Sequence, residues 1–558
     1  MTQLSTIVDL LATAVRQHEA GELAAAETLY REVLARDPAH PDALHLLGLV
    51  AHTAGDFAAA AAGIRHALAL RPGEAVFHYN LANVLRDAGQ LEDAIDSYRA
   101  ALALRPQDAD TLLNLGNALA AHGELAAAAD SYRALLRHAP QQLEAQINLA
   151  QVLRVLGDVA GARAAYLAVV GLDAGSVTAH LGLGGLCQEA GDFATAYRHY
   201  QAALQTDPGC APAWNNLGTW HQERGERPAA ADCYRRALAL DSECGFIHHA
   251  EAYNNLGTLL ADDDRAAEAE ACYRAALQVR PEFAEAHKNR GVVLQALGRH
   301  DEALASFREA VRLRPDFAEA AYKLAALSGE RPPASAPAEY VAALFDGYAG
   351  DYDQHLTSTL RYRVPQALYA LLAERLPQGD GLDVLDLGCG TGLSGVALRG
   401  LARQLTGIDL SPRMLARARE RGLYDRLIQG DIVQVLAGQN ARFDLVVAAD
   451  VFVYIGDLNA VVASVRQALR PGGWLAFSVE SLAAGEYRLQ PTGRYAHAPA
   501  YIEALAQRHG FERVTEQDVV LRVEQGRPVA GQLQVWRRSA GNLLLRFRHF
   551  RHPWRSAE

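Results

Sequence analysis

Three glycines at alternate positions, Gly388, Gly390 and Gly392, follow the apolar run VLDL (384–387). A strand that feeds such a loop brings bare backbone up against a ligand. Asp386, just ahead of the loop, is an awkward neighbour for a pyrophosphate but a comfortable one for an ammonium group. The dinucleotide fingerprint needs a small residue three places after its second glycine, and here that position holds Leu393. A nucleotide triphosphate loop needs Gly-Lys-Ser/Thr, whereas the only lysines of the chain are Lys288 and Lys323. The spacing therefore points to a ligand other than a dinucleotide or a nucleoside triphosphate.

The elements around the loop alternate between apolar runs and helical periods. LDVLDLG (382–388), RQLTGIDL (403–410), RLIQGDI (426–432), FDLVVAAD (443–450) and GWLAFSVE (473–480) read as strands. SGVALRG, SPRMLARARER, LNAVVASVRQALR and APAYIEALAQRHG fill the helical slots. VVLRVEQG (519–526) and VAGQLQVWRR (529–538) make a hairpin-like pair around GRP. Five strands with crossover helices, closed by an antiparallel pair, describe an α/β, open doubly wound, Rossmann-like sheet.

Taken in order, these residues resemble the motifs of class I S-adenosylmethionine (AdoMet) methyltransferases. The resemblance implies that Asp386, Gly388, Gly390 and Gly392 form the cofactor loop. It implies that Asp409, nineteen residues after Gly390, accepts hydrogen bonds from the ribose hydroxyls, with Leu410 beside it. Asp431 stands where the family contacts the adenine amino group, Ile432 where it packs the ring, and Asp450 where the fourth strand opens onto the ligand. Upstream, YVAALFDGYAGDYDQHL (340–356) is similar to the helical lead of small-molecule methyltransferases, in which an aromatic residue closes over the methionine end. Tyr348 and Tyr352 are the candidates, and packing of the helix onto the sheet is their alternative role. Only some acceptors need a general base; His497, Tyr454 and His355 are the candidates, each with a structural role as its alternative. The fourth-strand segment ADVFVYIGD lacks an Asn-Pro-Pro-Tyr type of motif, which argues against adenine or glutamine amide methylation. Small-molecule, carrier-bound and protein acceptors stay open.

Before residue 329 the chain has another character. Prolines fall at 38, 72, 106 and 140, each 34 residues after the last, and again at 208, 281 and 315. Eight residues before the proline position stands a large residue: Tyr30, Ile64, Tyr98, Tyr132, Tyr166, Tyr200, Tyr234, Tyr273 and Phe307. Four before that stands an alanine. A small residue lets crossing helices approach, and the aromatic fills the space beside it. This pattern resembles the tetratricopeptide (TPR) repeat. Nine repeats start near 7, 41, 75, 109, 143, 177, 211, 250 and 284, then a terminal helix follows at 318–328, with an insertion around 244–248. Asn80, Asn114, Asn148, Asn216, Asn255 and Asn289 recur at one point of the first helix. In TPR proteins that point faces the concave surface, where amides suit an extended peptide; the alternative is that they satisfy neighbouring backbone.

The expected organisation is an all-α TPR superhelix over 7–328, a proline-rich linker at 329–340, an AdoMet methyltransferase domain over 341–538 and a basic tail at 539–558. The tail region (537–558) holds six arginines and suits an acidic partner or a solvated end. A net charge of −12 argues against whole-protein attraction to nucleic acid or an anionic membrane. No apolar segment has the length of a membrane span. The amino terminus does not read as a signal peptide, and the six cysteines show no paired spacing, so a cytoplasmic protein with reduced thiols is expected. The whole resembles bacterial TPR-containing methyltransferases, which implies methyl transfer from AdoMet to an unidentified acceptor, with the array recruiting a protein. Two alternatives remain: another AdoMet-derived group transfer on the same fold, or a scaffold whose C-terminal domain only senses AdoMet.

Overall fold

A computed structural model describes residues 6–240, 247–330, 332–350, 352–354, 356, 358, 360–376, 381–524 and 526–539. The expected insertion falls mostly, and the basic tail almost wholly, outside them, as does His355. By contacts the chain divides into two compact units, Met1–Leu259 and Leu260–Glu558. The division differs from the boundary expected at 329–340, because the last repeat helices pack with the sheet that follows them.

The first unit is a run of antiparallel helix pairs beginning with α1 (Ile7–Glu19) and α2 (Leu23–Arg36), and the series continues in the second unit to α19 (Ala318–Ser328). First helices of successive pairs begin at Pro41, Ala75, Ala109, Leu143, Val177 and Ala211. Tight turns between paired helices carry a left-handed glycine, such as Gly89 at φ 77° and Gly123 at φ 90°, a conformation open to glycine at no steric cost. The periodic aromatics are the core: Tyr30, Tyr98, Tyr132, Tyr234 and Phe307 are all essentially inaccessible. A Cβ on Gly116 would lie 2.5 Å from the Tyr132 ring, so in this repeat the ring occupies the space that a side chain would take.

In the second unit α20 (Ala338–Tyr348), the single turn α21 (Tyr352–Gln354) and α22 (Val364–Ala373) precede the sheet. The strands and helices then run β1 (Leu382–Leu387), α23 (Leu393–Leu398), β2 (Ala402–Asp409), α24 (Pro412–Arg421), β3 (Arg426–Gln429), α25 (Ile432–Leu436), β4 (Phe443–Ala448), α26 (Asn459–Ala468), β5 (Leu469–Ser481), β6 (Tyr487–Leu489), β7 (Tyr495–His497), α27 (Pro499–Arg508), β8 (Phe511–Glu524) and β9 (Arg527–Arg538). The parallel order is β3-β2-β1-β4-β5, with β9 antiparallel to β5 and β8 antiparallel to β9; the short pair β7-β6 branches from the end of β5. Parallel strands covered on both faces read as continuous apolar runs: Leu385 and Leu387 enter one core, and Val384 the other. Strand order reverses between β1 and β4, the place where such sheets open a crevice at their carboxyl ends.

The proline-rich stretch expected as a stiff linker is tied down instead. Ser335 bridges Ile455, and the Ala334 carbonyl accepts from the N–H groups of Gly456 at 2.8 Å and Asp457 at 2.9 Å.

Candidate functional site

A cavity of about 380 Å³ lies at the carboxyl ends of β1, β2, β3 and β4. The chain enters it at the glycine loop. Gly388 (φ 59°) and Gly390 (φ 52°) are both left-handed, and both line the cavity. A Cβ on Gly388 would come within 2.6 Å of Val451, whereas one on Gly390 would face Tyr352 across 3.9 Å with nothing nearer. Gly392 does different work from that expected: its α-carbon turns toward α24, where a Cβ would meet Arg421 and Tyr424 at 3.1 Å, and it does not line the cavity.

Asp409, the last residue of β2, projects its carboxylate onto the wall. The Gly390 N–H donates to one oxygen at 2.8 Å and the Ser411 N–H to the other at 2.9 Å. Burial pushes its pKa up, and those backbone donors pull it down. Each oxygen is thereby oriented with acceptor capacity to spare, which suits a vicinal diol. Leu410, Asp431 and Ile432 also line the cavity, and Asp431 caps α25 by accepting from the Gln434 N–H at 3.1 Å.

Asp386 lies beneath the loop, not on the cavity wall. It is wholly buried; the Tyr424 hydroxyl donates to Oδ2 at 2.6 Å, and Oδ1 has no hydrogen-bond partner among the described residues. Burial pushes its pKa up to about 7, against the pull of Tyr424.

Of the two tyrosines in the helical lead, Tyr352 reaches the cavity. Tyr348 does not; it packs edge-on against Tyr352 with ring centroids 5.8 Å apart. Phe345, one turn before Tyr348 and missed in the sequence, takes a place on the wall between Tyr352 (5.9 Å) and Tyr454 (5.6 Å). The lead is pinned to the sheet by two carboxylates: Asp346 accepts from the Ser411 hydroxyl at 2.5 Å, and Asp353 from the Thr391 hydroxyl at 2.5 Å.

Just past β4, Asp450 adopts φ 60°, and its N–H donates to the Ser478 hydroxyl at 2.8 Å. Its carboxylate is held by Arg522 Nη1 at 2.9 Å. Arg522, only 1% exposed, also pairs with Glu480 and with Glu524. A single arginine inside the apolar strand segment VVLRV (519–523) was the available signal for this partner. Tyr454 lines the cavity too, with the Arg494 guanidinium beside its hydroxyl.

His497 is a correction. It is 1% exposed and does not line the cavity. Its Nε2 donates to the carbonyls of Ile455 at 2.9 Å and Gly456 at 3.1 Å, its ring stacks on Tyr501, and burial holds its pKa down to about 4. It braces the loop behind Tyr454 and touches nothing in the cavity.

The asparagine row also departs from a free ladder. Asn80 Nδ2 lies 2.8 Å from His45 Nε2, Asn114 Nδ2 donates to the Tyr79 hydroxyl at 3.0 Å, Asn148 Nδ2 to Asn117 at 2.9 Å and Asn255 Nδ2 to Asn215 at 3.0 Å. These amides cross-link one repeat to the previous one. Asn216 lines a groove of about 770 Å³ together with Gln151, Arg154 and Asn215; Asn289 is half-buried.

Four carboxylates, Asp409, Asp431, Asp450 and Asp457, line the cavity, and no lysine, arginine or histidine is on its wall among the described residues. Such a wall repels a phosphate and favours a cation. AdoMet carries a sulfonium and an ammonium group, an adenine for the apolar wall around Ile432 and a ribose diol for Asp409, so the residues fit it.

A methyltransferase-domain model matches residues 384–473, and tetratricopeptide-repeat models match stretches from 11 to 351. A malonyl-[acyl-carrier protein] O-methyltransferase of Pectobacterium atrosepticum is 32% identical over 190 residues, 32% of this chain and 72% of that protein. The chain belongs to the class I AdoMet-dependent methyltransferases. The methyltransferase domain follows a TPR array. The enzyme of the same name from Enterobacter lignolyticus is 38% identical over 138 residues, 25% of this chain and 52% of that protein. A ubiquinone biosynthesis O-methyltransferase of Thiobacillus denitrificans is 30% identical over 152 residues, covering 24% of this chain and 65% of that protein. The chain spans about half the length of the first curated relatives it matches. No helix among the described residues is long and apolar enough to cross a membrane.

Proposed function

We propose that the chain transfers a methyl group from AdoMet to a carboxylate oxygen of an acceptor, and that the TPR array recruits the protein that carries or presents it. The observation that supports the cofactor most is the composition of the cavity wall, with a glycine loop, an oriented Asp409 and carboxylates that suit a sulfonium and an ammonium. For an anionic acceptor the available cation is the Arg494 guanidinium beside the Tyr454 hydroxyl. When bound, AdoMet supplies a methyl group already activated on sulfur. The chain supplies position and exclusion of water. Asp409 and Ile432 would hold its nucleoside end, and Tyr352 and Phe345 would close the aromatic side of the cavity over it. Asp386 sits under the loop with Oδ1 unpartnered among the described residues.

The choice of acceptor rests on the bases found among the described residues, which do not include His355. No histidine among them is on the wall, and His497 is turned into the core. Asp450 is committed to Arg522, and burial raises the hydroxyl pKa of Tyr454. An acceptor that is already an anion at neutral pH needs no base, and a carboxylate meets that condition where a phenol does not. The names of the malonyl-[acyl-carrier protein] relatives are consistent with such an acceptor.

The test has two stages. Calorimetry should show AdoMet and S-adenosylhomocysteine binding to the wild type, weakened about 30- to 100-fold by Asp409→Ala, the scale of losing one net hydrogen bond to a charged group. Labelled methyl transferred to carrier proteins should then be released by mild base as methanol. A base-stable label would overturn the carboxylate assignment; cofactor binding without transfer to any carrier would favour a sensing scaffold.

A further inference from the structure

The last repeat helix runs directly into the cofactor cavity's wall. Tyr322 of α19 is 1% exposed, and its hydroxyl donates to the Gly493 carbonyl in the β6–β7 turn at 2.7 Å. Its ring lies 5.4 Å from Tyr340 and 6.3 Å from Tyr495. Lys323 Nζ donates to the Tyr340 hydroxyl at 3.0 Å, and Gln295, two helices earlier, donates to the Pro491 carbonyl at 2.6 Å.

From α19 the chain continues as a strap, 333–337. The Tyr495 hydroxyl donates to the Pro333 carbonyl at 2.7 Å. Ala334 accepts from Gly456 and Asp457, and the Ala336 N–H donates to the Tyr454 carbonyl at 2.9 Å. Residues 334–338 form part of the cavity wall, as the glycine loop does. The loop they grip, 454–457, is the one His497 braces from behind. Strap, loop and hairpin thus form one hydrogen-bonded assembly, anchored on the repeat array by Tyr322.

We propose that the end of the array is a working wall of the methyltransferase site. Tyr322 and Tyr495 are positioning residues that hold the strap over bound cofactor, so that release requires the strap to lift. The inference rests on the cofactor reading above. It accounts for the grouping of the last repeats with the sheet, and for a strap of small residues whose ties to the cavity loop are made by backbone.

The experiment uses the full chain and S-adenosylhomocysteine as probe, with dissociation followed by surface plasmon resonance. Tyr322→Phe combined with Tyr495→Phe should speed dissociation roughly tenfold, the ratio that a net loss equal to one or two buried hydrogen bonds carries, with the association rate little changed. Amides of 336, 456 and 457 should exchange faster in the variant and slow on adding the probe. Tyr98→Phe, which removes a comparable 2.6 Å bond to Asn83 inside the array, should leave dissociation unchanged. Wild-type dissociation from the double variant, with unchanged exchange, would overturn the strap. A wild type that binds no probe overturns the cofactor reading and the strap together, and the two failures are told apart by that one curve.

Discussion

Asp386 makes the sharpest prediction. Burial under the glycine loop raises its pKa from 3.8 to about 7, so the folded chain holds a proton that the unfolded chain has already released. Stability from this group is complete below pH 3.8 and is lost as pH rises toward 7, a loss of about 4 kcal/mol once pH exceeds both values. Between pH 5 and pH 8 the change is about 2–3 kcal/mol. Asp386→Asn keeps the acceptor for Tyr424 and the volume but does not titrate. Relative to the wild type, the variant should gain about 2–3 kcal/mol between pH 5 and pH 8, read from urea-dependent hydrogen exchange of β1 and β2 so that the repeats do not mask the sheet. A cation in the cavity acts on Asp386 through the loop and lowers its pKa, so cofactor binding at pH 7 should release a fraction of a proton, up to about half, from the wild type and none from the variant. That release appears as a buffer-dependent calorimetric enthalpy. A stability difference that stays flat from pH 5 to pH 8 would refute the assignment of a buried, proton-holding Asp386.

Other perturbations follow from the same geometry. Arg522→Met leaves Asp450 and Glu480 unpaired in the interior and should cost about 3–5 kcal/mol in urea unfolding of the sheet, with loss of cofactor binding because Asp450 is on the wall. His497→Gln retains a donor toward the Ile455 carbonyl; calorimetric cofactor affinity should stay within about threefold of wild type, less than one net hydrogen bond's worth, as a bracing role requires. Gly116→Val drives methyl groups into the Tyr132 ring and should destabilise the array by about 2 kcal/mol or more, measured by circular dichroism during urea unfolding. Ala82 and Ala150 occupy the equivalent position in two other repeats, so valine, not alanine, is the informative substitution.

What could be read from the sequence depended on whether a residue type has one environment or several. The 34-residue rhythm of small and aromatic residues has one packing solution, so it reported the helix pairs directly. The five parallel strands were also legible: β1 and β4 because burial on both faces requires a nearly unbroken apolar run, and the half-exposed edge strand β3 by its place in the alternation. β6 and β7 were not, since three residues each give no periodicity, and neither was α25, a single short turn. Asparagines spaced by one repeat look the same whether they face a bound peptide or bond to the preceding repeat, because both arrangements share the period; only the positions of His45, Tyr79, Asn117 and Asn215 distinguish them.

The functional site divides along the same line. Glycine at 388 and 390 is demanded by a left-handed backbone, and aspartate at 409 closes β2 with its oxygens on backbone N–H groups; the structure brings all three to the cavity. Tyr352 reaches it and Tyr348 does not because the chain turns between α20 and α21, a bend that composition does not encode. The strap was the hardest to see. PPASAP (332–337) has the make-up of a spacer, and its grip on Tyr454, Gly456 and Asp457 runs through main-chain atoms that every such sequence possesses. The information lies instead in Tyr495, whose hydroxyl bonds the strap at the Pro333 carbonyl, and in Tyr322, whose hydroxyl anchors the hairpin carrying Tyr495 at the Gly493 carbonyl. A tyrosine in the terminal helix of a repeat array, where a phenylalanine would fill the same space, is therefore the residue to look for when asking whether the array takes part in the neighbouring site.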